Sequence, residues 1–412
     1  MKILHVLQNY YPSYGGTQFL FQNISENLVE KYNDEVEVYT TNSMYGPDKI
    51  KFKKINPPVE ILNNVKITRF AFRRYYYSFF LFLIKFFSKL KISIPDSLIQ
   101  YRRGPFSSKM KKALLNSNAD IICGSSSDYL YMNYPLWKHK NKKPFIFMGA
   151  VHFTEDLNYN PILNSTLRAI HQSTFYIANT QYEKDRLINL GVAANKIKVV
   201  GCGVNLKKFE GNYQNSIHQK FKIKDRKVIG FIGRHEPTKG ILTLINAASI
   251  CWENGATFFL LIAGSTSDYT STIKKTISKI NPKFQQNIIL LSNFSEEEKI
   301  EIYKSLSIFV SVSQAESFGI VYLEAWANKI PVIGANIGAV RSVITNNKDG
   351  IIVEQENESE LADAIEKLLK NDELRKNFGL HGYEKVKENY TWDKVVLNYR
   401  NIYNEAIKLH LN

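Results

Sequence analysis

In the stretch Ser311-Val-Ser-Gln-Ala-Glu316-Ser-Phe-Gly319-Ile-Val-Tyr-Leu-Glu324-Ala-Trp-Ala, two carboxylates eight positions apart bracket the joint between a short apolar run and a helical one. Glu316 falls in the polar loop and Glu324 inside the helix, so both could face one crevice at the strand's carboxyl end. A helix N-terminus carries N–H groups that no carbonyl satisfies, at the positive end of its dipole. The amides after Ser317, at Phe318, Gly319 and Ile320, are therefore candidates to hold an anion. Amides for phosphate and carboxylates for hydroxyls suit a ligand that carries both. An ordinary α/β joint with solvated glutamates would show the same pair, so other runs must decide.

The run Val228-Ile-Gly-Phe-Ile-Gly233-Arg234-His-Glu-Pro-Thr-Lys239-Gly240 is the second signal. A strand ends near Gly233, and a short loop marked by proline and glycine then carries Arg234 and Lys239. An arginine offers a fork of donors and a lysine a point charge, and together they could neutralise a diphosphate. A solvated loop is the plainer alternative. Near the start, Gly15-Gly16 follows the first apolar run and precedes a helix with Leu20, Ile24 and Leu28 in register. Paired glycines let backbone approach a bulky anion that a Cβ would block. His152 ends the run Phe-Ile-Phe-Met-Gly-Ala-Val-His, where a lone histidine is either structural or a hydrogen-bonding group for a ligand.

Taken together, these runs resemble the retaining glycosyltransferases of GT-B fold, in particular glycosyltransferase family 4 (glycosyl transferases group 1). The resemblance rests on the E-x7-E pair, the G-R-x-x-x-x-K-G run and the glycine loop at 15–16, and it covers essentially the whole chain. It also takes in Leu260-Leu-Ile-Ala-Gly264, Asn293-Phe294 after a strand, and Tyr390-Thr-Trp392 opening a last helix. The resemblance implies transfer of a sugar from a nucleotide donor with retention of configuration. Arg234, Lys239 and the amides after Ser317 would stabilise the departing diphosphate. Glu324 would grip the ribose hydroxyls and Glu316 would lie by the donor sugar, with His152 hydrogen-bonding that sugar. Gly15, Gly16, Gly233, Gly264 and Phe294 would line the donor. A UDP- or GDP-sugar is then a substrate, with no cofactor. No Asp-x-Asp occurs, which favours protein cations over a bound metal. The chain departs from the family pattern at Val312, Ser317, Lys329, Cys202, Asn205, Ala339 and Ser342. None of these removes a donor-phosphate contact, and Ala339 and Ser342, in a loop near the donor, put sugar choice in doubt more than activity. Two alternatives stay open: a GT-B-fold sugar-nucleotide epimerase and a non-catalytic carbohydrate or membrane scaffold.

The elements that must position these residues alternate between strand-like and helical runs. Ile3–Leu7, Glu35–Thr40, Ile121–Cys123, Phe145–Phe147, Tyr176–Ala178 and Ile197–Val200 are expected strands of an α/β domain with a parallel sheet. After a polar linker at about 205–225 the pattern restarts with Val228–Ile232, Thr257–Ala263, Ile288–Leu291, Ile308–Val312, Pro331–Ile333 and Gly350–Val353. Leu361–Leu369 reads as an amphipathic helix. The expectation is two Rossmann-like, doubly wound domains facing across a cleft, with ligands at strand carboxyl ends. Residues 1–205 form the acceptor-binding domain, 206–390 the donor domain, and 391–412 a helix packing back on the first.

Charge points to a further partner. The net charge is +16, and residues 49–112 hold 16 Lys and Arg against Glu60 and Asp96 alone. Within this segment Tyr75–Ile84 is an uninterrupted run of ten residues without charge, too short to span a bilayer, with Arg73, Arg74 and Lys85 beside it and Phe79 and Phe80 within it. Such a helix could lie in an anionic membrane interface, close to a lipid-linked or glycan acceptor. A buried helix with a solvated basic edge is the alternative, and nucleic acid is disfavoured because no recognised motif accompanies the charge. The three cysteines have no metal or disulfide spacing, and the N-terminus is too short in apolar residues for a signal peptide. The expectation is a cytoplasmic protein, peripheral on the inner face of the membrane.

Overall fold

The computed structural model describes residues 1–13, 15–44, 53–72, 77–95, 98, 107–125, 143–149, 161–211, 216–223 and 226–411. They form two compact units, Met1–Gly201 with Trp392–Asn412, and Cys202–Thr391. The first carries strands β1 (Lys2–Val6), β2 (Glu35–Thr41), β3 (Val59–Leu62), β4 (Val65–Phe70), β5 (Ile121–Ser125), β6 (Phe145–Met148), β7 (Phe175–Ala178) and β8 (Ile197–Val199). Their order is β3-β4-β2-β1-β5-β6-β7-β8, parallel throughout except for the antiparallel pair β3–β4. Helices α1 (Gly16–Tyr32), α2 (Tyr77–Lys89), α3 (Ser108–Leu115), α4 (Pro161–Gln172) and α5 (Gln181–Asn189) lie between strands. The central strands are buried along their length, as a parallel sheet covered on both faces requires.

The second unit restarts with β9 (Lys227–Ile232), β10 (Phe258–Ala263), β11 (Ile288–Leu291), β12 (Ile308–Ser311), β13 (Val332–Ala335) and β14 (Gly350–Val353). The order β11-β10-β9-β12-β13-β14 is wholly parallel. Its helices are α6 (Ser216–Lys220), α7 (Ile241–Glu253), α8 (Thr270–Ile277), α9 (Pro282–Gln285), α10 (Glu296–Ser305), α11 (Ile320–Ala327), α12 (Gly338–Val343), α13 (Glu358–Lys370) and α14 (Asp372–Asn389). Leu361, Ile365 and Leu368 of α13 are buried in the core with Ile245, Ala248 and Cys251 of α7, which is why a 3.6-residue apolar period was legible there. The strand order reverses between β9 and β12, so the crevice beyond their carboxyl ends is the ligand position of this sheet type.

The last helix, α15 (Trp392–Leu411), belongs to the first unit. Tyr403 meets His5 Nε2 at 3.0 Å, Arg400 donates to Asp34 at 2.8 Å, and Trp392 packs edge-on to Phe19. Burial lowers the His5 imidazole to about 3, with Nδ1 on Ser25 Oγ at 2.7 Å. The units meet in sequence at Gly201/Cys202, ahead of the expected polar linker. Much of that linker is ordered secondary structure, a 3-10 turn at Leu206–Phe209 and then α6.

The hairpin β3–β4 was not expected. Asn63 and Asn64 join its strands with φ of 48 and 61°, the left-handed pair that a two-residue hairpin turn needs. Cys123, Cys202 and Cys251 are all free and buried.

Candidate active site

Two signature runs become one crevice because β9 and β12 are neighbours. Each strand ends in a loop that turns into a helix, and the loops are tied together by backbone. Gln314 N donates to Thr238 O at 2.8 Å. Gly240 has φ of 69°, and a Cβ there would lie 2.2 Å from the Val312 carbonyl oxygen. Only glycine fits that position. This contact carries Lys239 to the other loop, where its Nζ is 3.2 Å from Glu316 Oε2. Both side chains are half-buried, so the pair is partly shielded from water. Glu316 Oε1 in turn accepts from its neighbour Ser317 N at 3.2 Å.

Arg234 is presented differently. Its side chain is 70% exposed and makes one ion pair, to Glu236 Oε1 at 2.7 Å. The loop beneath it is fixed by His235, which is fully buried, bonds Thr270 Oγ1 at 3.0 Å through Nδ1, and takes a backbone bond from its own N–H to Ser265 O. Burial lowers the pKa of His235, so the ring is neutral, and its Nε2 is buried without a hydrogen-bond partner. Gly233 and Gly264 belong to the same stitching. A Cβ on Gly264 would overlap the Gly233 carbonyl oxygen at 1.7 Å, so the β9 and β10 loops pack only with glycine there.

The helix α11 begins at Gly319, whose φ of 93° would strain any other residue. No side chain caps it, which leaves first-turn amides available as the sequence suggested. Phe318 does not offer its ring to the crevice. It is buried, edge-on to Tyr390 at 5.5 Å, so any ligand contact there is through backbone. Ile320 and Phe294 are half-buried, the latter just after β11 and a left-handed Asn293.

Glu324 sits one turn further along α11, 7% exposed in an otherwise apolar helix. Two residues absent from the sequence-based site hold it. Lys299 Nζ lies 2.5 Å from Oε1, and Tyr303 Oη donates to Oε2 at 2.8 Å. Burial alone would lower the Lys299 ammonium, but Glu324 and Glu296 hold it above its ordinary value. Burial and the same carboxylate raise Tyr303, so it remains a protonated donor. Their spacing of four on α10 was a visible signal, since it places both on one helix face. The run of Glu296, Glu297 and Glu298 before them instead reads as a cap, and Ser295 with Glu298 does form a capping box.

In the first unit, Gly15 caps α1 with no side-chain bond, and a Cβ on Gly16 would meet no atom within 4 Å. Packing thus explains Gly233, Gly240 and Gly264 but not Gly16. His152, Arg73 and Arg74 lie outside the described residues. The expectation of a buried alternative for the aromatic segment fails: every α2 residue whose side chain is described is exposed or half-buried. Phe79, Phe82 and Phe86 are each at least half exposed, and Lys85 lies on the same side, whereas Phe80 is half-buried. No helix among the described residues is long and apolar enough to cross a membrane, and those residues contain no cluster of His, Cys, Asp and Glu suited to a metal.

Comparison with known proteins adds the class. The HepE protein of Anabaena, solved in complex with UDP, superposes with a TM-score of 0.75 at 14% identity over 98% of this chain and 100% of its own. Sucrose-phosphate synthase from Thermosynechococcus elongatus gives 0.73 at 16% identity, over 99% and 100%. The fold is GT-B. The model of glycosyl transferases group 1 matches residues 213–385, and that of glycosyltransferase family 4 matches residues 14–208. The chain belongs to glycosyltransferase family 4. The capsular polysaccharide biosynthesis glycosyltransferase CapM of Staphylococcus aureus is 29% identical over 249 residues, 58% of this chain and 64% of its own length. A D-inositol 3-phosphate glycosyltransferase of Corynebacterium diphtheriae is 24% identical over 58% of each chain.

Proposed function

We propose that this protein is a retaining, metal-independent glycosyltransferase that moves a sugar from a nucleotide-sugar, UDP- or GDP-linked, to a glycan or lipid-linked acceptor. The observation that carries it is the union of the Arg234/Lys239 loop and the Glu316/α11 loop in one crevice at the switch point of the second sheet. Breaking a sugar–phosphate bond puts charge on the diphosphate, and fixed donors aimed at that charge lower the barrier. Arg234 is free enough in solvent to swing onto a phosphate. Lys239, released from Glu316 by the incoming anion, supplies the second cation, and the uncapped amides of α11 supply the third contact. Glu316 then takes hydroxyls of the donor sugar, and Glu324 those of the ribose.

Retention follows from the same economy of groups. The departing phosphate itself takes the proton of the acceptor hydroxyl, so no separate base is needed. His152 and the Gly15-Gly16 loop are assigned to the donor sugar and phosphates. By its name CapM acts in capsular polysaccharide biosynthesis, and that context supports a cell-surface glycan as the acceptor class.

The acceptor side is read from α2. Phe79, Phe82, Phe86 and Leu90 follow a spacing of three and four, one exposed stripe, with Lys85, Lys89 and Lys91 beside it. Rings at headgroup depth and ammonium groups on anionic lipid describe a peripheral helix, which would bring the enzyme to a lipid-linked acceptor on the cytoplasmic face. A panel of UDP- and GDP-sugars tests the reaction, read by release of nucleoside diphosphate with and without a lipid extract. Release from one donor class that rises with the lipid extract supports the reading. No release from any donor in either condition overturns it.

A further inference from the structure

We propose that Lys299 and Tyr303 are positioning residues that set the Glu324 carboxylate as a bidentate acceptor for two adjacent hydroxyls, and so make donor selection depend on an intact ribose. The inference rests on the assignment of Glu324 to the ribose and deepens it.

Replacing a whole buried ion pair by apolar residues is often neutral or stabilising, whereas removing one partner alone is costly. Glu324 and Lys299 form such a pair beside the buried Leu323, Ala325 and Trp326, so packing by itself does not call for the pair. Its geometry is informative. Each carboxylate oxygen has about two acceptor sites. Lys299 fills one on Oε1, and Tyr303 fills one on Oε2. One acceptor site on each oxygen is left, enough for the two hydroxyls of a vicinal diol. With a donor held on each oxygen, rotating the carboxylate about its last bond would break both hydrogen bonds. Asn328 further ties down the Glu324 backbone, its Nδ2 donating to the Glu324 carbonyl at 2.8 Å.

Lys299 and Tyr303 come from α10, on the opposite side of β12 in sequence, so the diol acceptor is assembled from two helices. Phe309 of β12 packs on both Tyr303 and Tyr322, fixing the ring that carries the Tyr303 hydroxyl. The hydroxyl is therefore aimed by packing and not only by its hydrogen bond.

The test compares a ribonucleotide donor with its 2′-deoxy and 3′-deoxy counterparts in the full-length protein, in wild type, Lys299→Met, Lys299→Arg and Tyr303→Phe. Expected is a wild-type preference of about tenfold or more for the ribose donor in kcat/KM, as one lost hydrogen bond to a charged group gives. Lys299→Met and Tyr303→Phe should raise KM for the ribose donor about tenfold with kcat little changed, and shrink the ribose preference to a few-fold. Lys299→Arg should restore it. Thermal unfolding of each variant accompanies the kinetics, and Tyr303→Phe keeps the ring and so serves if Lys299→Met does not fold. A variant that folds and keeps the full ribose preference overturns the positioning role. A wild type indifferent to the 2′- and 3′-hydroxyls overturns instead the assignment of Glu324 on which it rests.

Discussion

The two parallel sheets of this chain end in loops of opposite character. At the switch point of the second sheet the ionisable groups are matched: Lys239 with Glu316, Lys299 and Tyr303 with Glu324, Arg234 with Glu236. The loops that carry them touch through glycines that tolerate no Cβ. In the first unit helix α2 of the basic segment holds Phe79, Phe82 and Phe86 at least half exposed, and Lys85, Lys89 and Lys91 carry no carboxylate partner among the described residues. A cross-tied, charge-balanced crevice holds one small ligand in one geometry. An unbalanced, ring-studded helix suits an extended anionic surface, where no single register matters. In the function proposed, the same fold recognises by fixed distances in one unit and by area and charge in the other.

Arg234→Ala breaks the comparison most sharply. Because the guanidinium is solvent-exposed and holds only Glu236, its loss should leave thermal unfolding unchanged. It should lower kcat/KM by roughly a hundredfold or more, the usual cost of removing a donor that stabilises developing charge. Near-wild-type kinetics would sink the assignment of the second unit as the chemical one. Glu324→Gln comes next. It keeps the shape of the side chain but leaves Lys299 facing a neutral amide, and should raise donor KM about ten- to hundredfold, the range for lost hydrogen bonds to a charged group. A fall in kcat with unchanged KM would move Glu324 from binding to the transition state.

Much of this was legible from the chain because parallel strands buried on both faces read as continuous apolar runs. The twelve expected strands all have counterparts, and the four residues Arg234, Lys239, Glu316 and Glu324 were visible as spacings within two strand-to-helix runs. What was not legible depended on other things. Hairpin β3–β4 was not legible because its strands alternate in exposure and lack the continuous apolar runs of the buried strands, although two asparagines between alternating runs are a turn signal. Lys299 and Tyr303 were hidden because their partner lies on a different helix, and pairing across 25 and 21 positions has no sequence period. The direction of the Phe318 ring was not legible either, because its burial against Tyr390 is set by tertiary packing. The expected domain edge at 205 follows polarity, yet the units divide at Gly201 because the polar stretch after it packs as turn and helix.

The exposed rings of α2 sharpen the other side of the comparison. Phe82→Ser with Phe86→Ser removes two rings that are 62% and 50% exposed, so folding should change little. A fully buried ring contributes about 1.5–3 kcal/mol, and partial insertion a fraction of that. Flotation with anionic vesicles should therefore fall about tenfold or more, with turnover on a water-soluble acceptor unchanged. Equal flotation of wild type and variant would remove α2 from the membrane reading, and equal binding to neutral and anionic vesicles would remove its lysines from it.

The smallest expected effect concerns how α15 is held on the first unit. His5 bridges Ser25 and Tyr403 while fully buried, and burial keeps its ring neutral down to about pH 3. In the unfolded chain the same ring takes a proton near pH 6.5. Between these values the unfolded chain binds the extra proton, so stability is complete above 6.5 and falls as pH drops, by up to about 1.4 kcal/mol per unit for this one group. His235 adds a slope of the same sign in the second unit. Amide exchange separates them, because α15 reports the first unit and α7, beyond the His235 loop, the second. His5→Asn should flatten the acid-side loss of protection in α15 between pH 6.5 and 4.5 and leave that of α7 as it was. If both helices change together, the two units do not unfold as separate bodies, and the contrast between their loops is one of surface chemistry alone.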